Sequence, residues 1–151
     1  MGKLTQQLSN HQLIGLDTAV FIYHLEGNPN YLPSTDELLR MVQAGQCQAV
    51  VSTVTIMELT VHPWRTGRAD VARQYEMLLA NFPNLMLCDV TRDVARRAAQ
   101  LRARYNLRPA DALHVATAVV NGVTAWITND KKLARLAPEL EVIVLDDLGE
   151  M

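Results

Sequence analysis

The sequence has few cysteines, no long apolar run and little net charge, and each shortage excludes a class of protein. Its two cysteines, Cys47 and Cys88, do not form the C-x-x-C pattern of redox and zinc motifs. Both lie in or beside apolar runs, where free cysteine behaves as a small hydrophobic residue, so we expect a reducing, cytoplasmic environment. No apolar run approaches the roughly 18 residues that a membrane span requires, and residues 1–12 lack the apolar core of a signal peptide.

Charge and aromatic content limit the partners that the protein can bind. The formal net charge is −2, so nucleic-acid binding requires a local basic patch. Aromatic residues make up 5% of the chain, too few to support an argument from base stacking. With 151 residues, 49% of them hydrophobic, we expect one folded domain over residues 13–151 after a flexible lead-in over residues 1–12.

Short apolar runs alternate with segments of helical periodicity along the chain. This alternation predicts a parallel sheet of about five strands with helices on both faces. The predicted strands are residues 13–17, 48–53, 85–90, 124–130 and 141–148. The predicted helices are residues 18–27, 36–45, 55–61, 67–81, 92–105, 109–122 and 130–138.

Some residues are expected to begin or interrupt these helices. Ser34 or Thr35 is expected to cap the helix over residues 36–45, and Pro63 is expected to break the next helical pattern. Trp64, beside Pro63, fits either the core or a protein-binding surface. We expect the core, because buried tryptophan is the more common case.

Four acidic residues occupy positions where functional sites form in parallel sheets, beyond the carboxyl ends of the strands. Asp17 is the last residue of the first predicted strand, and Asp130 is the last residue of the fourth. Glu58 lies on the helix that leaves the second strand, and Asp111 lies in the first turn of the helix that leads into the fourth. Asp111 joins the others only if its helix begins at the same edge of the sheet.

Each acid also has a structural explanation. Asp17 and Asp130 are good helix caps. Asp111 is favoured by the positive end of its helix dipole, and Glu58 alone is typical of a solvated surface acid. His114, one turn after Asp111, is more often a core or supporting histidine than a metal ligand.

Together, four clustered carboxylates repel one another, and burial raises the cost of ionising them. No lysine or arginine closely flanks Asp17 or Glu58 in the sequence. Mg²⁺ or Mn²⁺ would offset the repulsion, since these ions prefer oxygen ligands and keep several waters. The chemistry expected of such a site is phosphoryl transfer, in which the metal aligns a water, lowers its pKa and neutralises charge on the phosphate.

Four motifs around these acids resemble the PIN domain family, and within it the VapC-type toxins of bacterial toxin–antitoxin pairs. They are L-D-T at Asp17, S-T-V-T-I-M-E ending at Glu58, P-A-D-A-L-H-V-A-T-A around Asp111, and W-I-T-N-D ending at Asp130. The resemblance covers about residues 13–145, and the last two motifs are its most specific parts. It implies a three-layer α/β/α fold and a Mg²⁺- or Mn²⁺-dependent endoribonuclease. It further implies a homodimer and a cognate antitoxin that blocks the site.

The resemblance also implies roles for individual residues. Asp17 and Asp111 would be direct metal ligands. Glu58 and Asp130 would bind through water, hold a second metal or orient the nucleophile. Thr128 corresponds to a hydroxyl that supports the site in the family.

Thr18 and Asn129 are further candidates for the same supporting shell. Two features depart from the family pattern. Lys131 and Lys132 follow Asp130, where relatives often have another acid, so a fifth acid and a second metal are less expected. A dozen residues precede the first strand, whereas many relatives begin almost at once, and this leaves the chemistry unchanged.

RNA contact requires cations, and the chain offers two groups of arginines, each equally consistent with a solvated face. Single-stranded or looped RNA would suit the site, because an unpaired backbone bends into a cleft more easily. The first group, on or beside the helix over residues 92–105, is Arg92, Arg96, Arg97, Arg102, Arg104 and Arg108; the second is Arg65, Arg68 and Arg73.

Two other functions are compatible with this pattern. A phospho-acceptor signalling module also has a parallel sheet, Mg²⁺ and acids at strand ends, and Asp89 ends the third strand where an acceptor would lie. However, the first strand ends in a lone Asp17, and Asp146 and Asp147 are not followed by the lysine of such modules. A non-catalytic RNA- or protein-binding module is disfavoured because all four acids are present.

Overall fold

The computed structural model describes residues 2–148. The helices are α1 (Lys3–Leu8), α2 (Thr18–Glu26), α3 (Leu32–Gln43), α4 (Val54–Arg65), α5 (Ala69–Asn81), α6 (Arg92–Tyr105), α7 (Pro109–Val120) and α8 (Leu145–Leu148). The strands are β1 (Leu13–Leu16), β2 (Gln48–Ser52), β3 (Leu85–Cys88), β4 (Ala125–Thr128) and β5 (Glu141–Val144), and a 3₁₀ helix spans Lys131–Leu136. Among the helices of the described range, none is long and apolar enough to cross a membrane.

The five strands form one parallel sheet in the order β3-β2-β1-β4-β5, with β1 at the centre. Alternate strand residues point to opposite faces, and both faces are buried. Ile14 and Leu16 belong to a core covered by α1 to α5, whereas Val50 and Trp126 belong to a second core under α6, α7 and the 3₁₀ helix. The predicted three-layer α/β/α sandwich with a parallel sheet of about five strands is confirmed.

The N-terminal segment is folded, so the expectation of a flexible lead-in over residues 1–12 is wrong for its described part. Helix α1 buries Leu4 and Leu8, each 1% exposed, in the core that α3 also covers. The hydroxyl of Thr5 donates a hydrogen bond to Glu37 of α3. This helix was not predicted, because two apolar residues four positions apart are a weak periodic signal in a polar segment.

Two expected helix boundaries are also corrected. Pro63 lies inside α4, which continues to Arg65, because a missing N–H removes a single hydrogen bond near the end of a helix. Helix α3 begins at Leu32 rather than after a Ser34 or Thr35 cap. Thr35 is instead a buried helical residue whose hydroxyl donates to the carbonyl of Leu32.

The two tryptophans occupy opposite environments. Trp64 is 54% exposed, so the expectation that it lies in the core is wrong. Trp126 of β4 is 2% exposed and fills the core beside Gly15 of β1. A Cβ atom added at Gly15 would lie 2.7 Å from Cε3 of Trp126 and 3.1 Å from Cβ of Ala118. Gly15 is therefore the residue that makes room for the indole between the sheet and α7.

We expect Gly15→Ala to lower the free energy of unfolding by about 1–3 kcal/mol, because the added methyl overpacks a tight core. Urea denaturation monitored by circular dichroism measures this change. The double variant Gly15→Ala with Trp126→Phe should lose less stability than the sum of the single variants, since the smaller ring relieves the clash. Strict additivity would contradict this explanation.

Candidate metal centre

The four acids predicted as a cluster line one pocket of about 660 Å³ at the carboxyl edge of the sheet. Asp17 follows β1 and caps α2, while Asp130 follows β4 and caps the 3₁₀ helix. Glu58 lies in the second turn of α4, and Asp111 lies in the first turn of α7. Because α7 leads back into the sheet, its first turn lies at the edge where the strands end. The condition set for Asp111 is therefore met.

Asp17 is held at the base of the pocket by hydrogen bonds to both carboxylate oxygens. The backbone N–H of Thr18 donates to Oδ1 at 2.8 Å, and the hydroxyl of Thr128 donates to Oδ2 at 2.7 Å. Burial raises the pKa of Asp17 above its usual value, and the nearby charge of Asp111 raises it further. The Thr128 bond, the charge of His114 and the Thr18 bond act in the opposite direction. Ionised Asp17 therefore accepts two hydrogen bonds, but burial and the charge of Asp111 disfavour its negative charge.

Glu58 is held in place by two buried polar side chains, those of Thr18 and His114. Its Oε1 accepts a hydrogen bond from the hydroxyl of Thr18 at 2.8 Å and lies 2.5 Å from Nε2 of His114. The Thr18 hydroxyl also lies 3.0 Å from that of Thr55, and His114 is 2% exposed. The hydrogen bond from His114 lowers the pKa of Glu58, against the opposing effect of burial. Glu58 is therefore an ionised acceptor at neutral pH.

His114 supports the site rather than pointing into the pocket. Within residues 2–148, its Nδ1 atom is buried without a hydrogen-bond partner, so its polar contacts run through Nε2 to Glu58 and, at 3.4 Å, to Thr18. Since a carboxylate is an acceptor only, Nε2 carries a proton in its contact with Glu58. This placement agrees with the expectation of a core or supporting histidine.

Arg108, one of the arginines considered for RNA contact or a solvated face, supplies a counter-charge to the pocket. Its Nε donates to Oδ2 of Asp111 at 3.0 Å, and its side chain is 80% exposed. Asp111 raises the pKa of Arg108, with smaller contributions from Asp130 and Glu58. The i, i+3 spacing of Arg108 and Asp111 across the start of α7 was the signal available in the sequence.

The supporting candidates Thr128 and Asn129 join the end of β4 to its surroundings. Besides Asp17, the Thr128 hydroxyl contacts the backbone N–H of Asp130, which donates to it at 3.1 Å. The Asn129 amide donates to the hydroxyl of Tyr23 at 3.0 Å, and its oxygen accepts from the N–H of Asp146 at 2.8 Å. Tyr23 also lines the pocket and had no distinguishing signal in the sequence.

Several arginines of α6 make local contacts. Arg96 pairs with the acid three residues before it at 2.8 Å, and Arg104 lies 3.4 Å from Glu139. Arg102 donates to the carbonyl of Leu107 at 2.9 Å. These three arginines therefore contact groups of the protein itself, whereas the side chains of Arg92 and Arg97 make no hydrogen bond or ion pair within residues 2–148.

The phospho-acceptor alternative is not supported by the position of Asp89. This residue is exposed and follows β3, which is an edge strand of the sheet. It does not line the pocket that contains Asp17 and the other three acids. The acidic cluster therefore forms around the central strand and not at the end of β3.

The pocket offers carboxylate oxygens, the ligand type that Mg²⁺ and Mn²⁺ prefer. Its four carboxylates come from separate elements, and among them Asp111 is paired with Arg108. Among residues 2–148, no group of three or more acidic, His or Cys side chains is already arranged to enclose a metal ion. Mg²⁺ differs from zinc in this respect, because it is commonly bound by one or two carboxylates and retains several waters.

Comparison with known proteins identifies the family. The PIN domain model matches residues 14–138. The chain belongs to the PIN domain family. No curated protein matches it.

Several solved structures with a similar fold are toxin–antitoxin complexes. A toxin-antitoxin complex from Klebsiella pneumoniae contains a chain with 24% identity and a TM-score of 0.66, covering 87% of this chain and 97% of that one. VapBC2 from Rickettsia felis, bound to a DNA fragment from its promoter, gives 15% identity, a TM-score of 0.69 and coverage of 87% and 98%. VapBC-5 from Mycobacterium tuberculosis has 24% identity and a TM-score of 0.57, and the match covers 88% of this chain and 98% of that one. At these identities the similarity establishes the fold of this PIN domain.

The burial of Asp17 makes a prediction about stability. A folded-state pKa above the unfolded value means that the protonated form favours folding. This contribution is present below the unfolded pKa and is lost as pH rises through the folded pKa. At pH 7 we therefore expect Asp17→Asn to raise the melting temperature of metal-free protein by about 2–4 °C, as about 1 kcal/mol does in a domain of this size.

Thermal denaturation in EDTA at pH 7 and pH 4 measures this difference. The stabilisation should shrink at pH 4, where the carboxyl group of the wild-type protein is more protonated. Asp93→Asn, at a side chain that is 74% exposed on α6, is the matched control. A lower melting temperature for Asp17→Asn at pH 7 would contradict the interpretation.

Proposed function

We propose that this PIN domain is a Mg²⁺- or Mn²⁺-dependent endoribonuclease and the toxin of a type II toxin–antitoxin pair. The observation that carries the proposal is the convergence of Asp17, Glu58, Asp111 and Asp130 on one pocket at the carboxyl edge of the sheet. Family membership and the toxin–antitoxin complexes among the structural neighbours support the same conclusion. An antitoxin that covers this pocket is the expected protein partner, and a homodimer remains a prediction.

Asp17 and Asp111 are the residues that we assign to direct metal binding. Their charges are coupled, since Asp111 raises the pKa of Asp17. Glu58 and Asp130 would bind through water or hold a second ion. A bound Mg²⁺ or Mn²⁺ would lower the pKa of a water molecule and neutralise charge on the phosphate.

The protein's own groups orient the reactants. Glu58, ionised and fixed by His114 and Thr18, can accept a hydrogen bond and then a proton from the attacking water. In the proposed reaction this water attacks phosphorus, and the bond from phosphorus to O3′ breaks. The O3′ atom takes a proton from solvent, which leaves a 5′-phosphate and a 3′-hydroxyl. Neither step requires a covalent nucleophile from the protein.

Thr128 is proposed to act through Asp17 as a positioning residue. Its hydroxyl donates to Asp17 while its oxygen accepts from the N–H of Asp130, so one side chain sets the relation between two acids. Hydrogen bonds of this kind fix the orientation of metal-binding carboxylates. This is the role that the resemblance implied for the hydroxyl.

Asp111→Asn should reduce RNA cleavage in Mn²⁺ by about 100-fold or more, because losing a ligand is at least as harmful as losing its supporting hydrogen bonds. Cleavage of a fluorescent single-stranded RNA, followed by gel electrophoresis, measures the loss. Asp93→Asn makes the same chemical change on the exposed face of α6 and should cleave at the wild-type rate. Undiminished cleavage in EDTA would exclude the metal-dependent mechanism.

Thr128→Val should weaken Mn²⁺ binding by about 10- to 100-fold, since it removes the hydroxyl that positions Asp17 and Asp130. Isothermal titration calorimetry measures this affinity without relying on activity. Thr128→Ser keeps the hydroxyl and should bind Mn²⁺ close to the wild-type affinity. Equal affinity of the valine variant and the wild type would remove Thr128 from the site.

A further inference from the structure

A second cleft, of about 250 Å³, adjoins the acidic pocket and differs from it in charge. Both are lined by Asp111, Asp130 and Arg108. The second cleft adds Lys132 and Arg135 from the 3₁₀ helix. A continuous surface therefore passes from the four carboxylates, across Arg108, to a cationic wall.

The two cations of the 3₁₀ helix are arranged as one face. Side chains three residues apart are eclipsed in a 3₁₀ helix, so Lys132 and Arg135 project from the same side. The backbone N–H of Lys132 donates to Oδ1 of Asp130 at 3.0 Å, which fixes this helix to the acidic pocket. Both side chains belong to exposed residues, and within residues 2–148 neither makes an ion pair. Their charge is therefore available to a ligand.

The turn before α7 forms the opposite wall. Asn106 has the left-handed backbone conformation, with φ of 54°, and ends α6 so that the chain reverses into the cleft. Arg108 is fixed in extended conformation before Pro109, and its largely exposed guanidinium uses Nε for Asp111. The other N–H groups of Arg108 make no hydrogen bond to residues 2–148, so they remain able to bind an anion.

We propose that this cleft binds one phosphate of an RNA strand, next to the phosphodiester that is cleaved in the acidic pocket. The proposal rests on the proposed nuclease function and assigns Lys132, Arg135 and Arg108 as substrate-binding residues. Arginine and lysine are the side chains that hold phosphate oxygens, and a cationic groove beside a catalytic site guides a single strand. Lys132, the second lysine after Asp130, thus has a role in binding the substrate.

The α6 arginines are the competing surface. Arg96, Arg102 and Arg104 make local contacts there, whereas the side chains of Lys132 and Arg135 make none that compete with a ligand. The side chains of Arg92 and Arg97 also make no such contact within residues 2–148, but they do not line the acidic pocket or the cationic cleft. The cationic cleft also shares residues with the acidic pocket, so one strand can occupy both. These two observations favour the cleft over α6 as the backbone-binding site.

The test compares Lys132→Gln/Arg135→Gln with wild type and with Arg40→Gln, an arginine that is 76% exposed on α3. Affinity for a fluorescein-labelled single-stranded RNA is measured by anisotropy in EDTA over a range of KCl concentrations. For the double variant, we expect the slope of log affinity against log salt to be smaller in magnitude by about 0.7, the value for one lost phosphate contact on a single strand. Arg40→Gln should keep the wild-type slope.

Kinetics in Mn²⁺ separate this inference from the nuclease proposal. With an oligoribonucleotide, the double variant should raise KM about 10-fold or more while kcat changes less than about twofold. With a dinucleotide, which has a single phosphodiester and no neighbouring phosphate, wild type and variant should have the same kcat/KM. Circular dichroism of the variant checks that the fold is retained.

Three results overturn the inference. The first is a double variant with the wild-type salt slope and KM while the wild type cleaves normally, which leaves the nuclease proposal intact. The second is an equal loss on the dinucleotide. The third is a wild type that neither binds nor cleaves RNA in Mn²⁺, in which case both proposals fail.

Discussion

The convergence of negative charge around Asp17 is the constraint on which the rest of the site depends. Burial and the charge of Asp111 both oppose its ionisation. Three neighbouring groups favour the ionised form instead: the backbone N–H of Thr18, the hydroxyl of Thr128 and the imidazole of His114. Arg108 performs the corresponding task for Asp111 from the solvent side. The residues around the pocket thus supply hydrogen bonds and positive charge that stabilise the ionised acids.

Topology explains why distant residues meet in this pocket. Strand β1 lies between β2 and β4, so the residues that follow these three neighbouring strands share one edge of the sheet. Asp17, Glu58 and Asp130 arrive in this way, and Asp111 arrives because α7 starts at the same edge. This part was predictable, since parallel strands and strand-end acids are both visible as sequence patterns. The fold and the grouping of the acids required no knowledge of side-chain contacts.

The errors arose where tertiary packing overrides local pattern. Helix α1 is polar except for Leu4 and Leu8, and its stability comes from the core that they enter. Trp64 has the composition of a core residue, but its side of α4 faces solvent, while Trp126 is buried because Gly15 leaves space for it. The link between Arg108 and Asp111 was visible as a spacing. The sequence did not show that Arg108 also lies near Glu58 and Asp130, because this proximity depends on the fold.

The chemistry at position 17 argues against a purely structural role for the acid. Asparagine caps helices about as well as aspartate, and it could accept the Thr18 hydrogen bond without a charge. The helix dipole favours a negative residue there, but a contribution of about 0.3–1 kcal/mol is reduced by the desolvation and repulsion that Asp17 experiences. A cap alone would not require such an environment, nor three more carboxylates on the same pocket. The cation that we propose as a ligand would account for both features, because it would convert an unfavourable cluster of charges into a binding site.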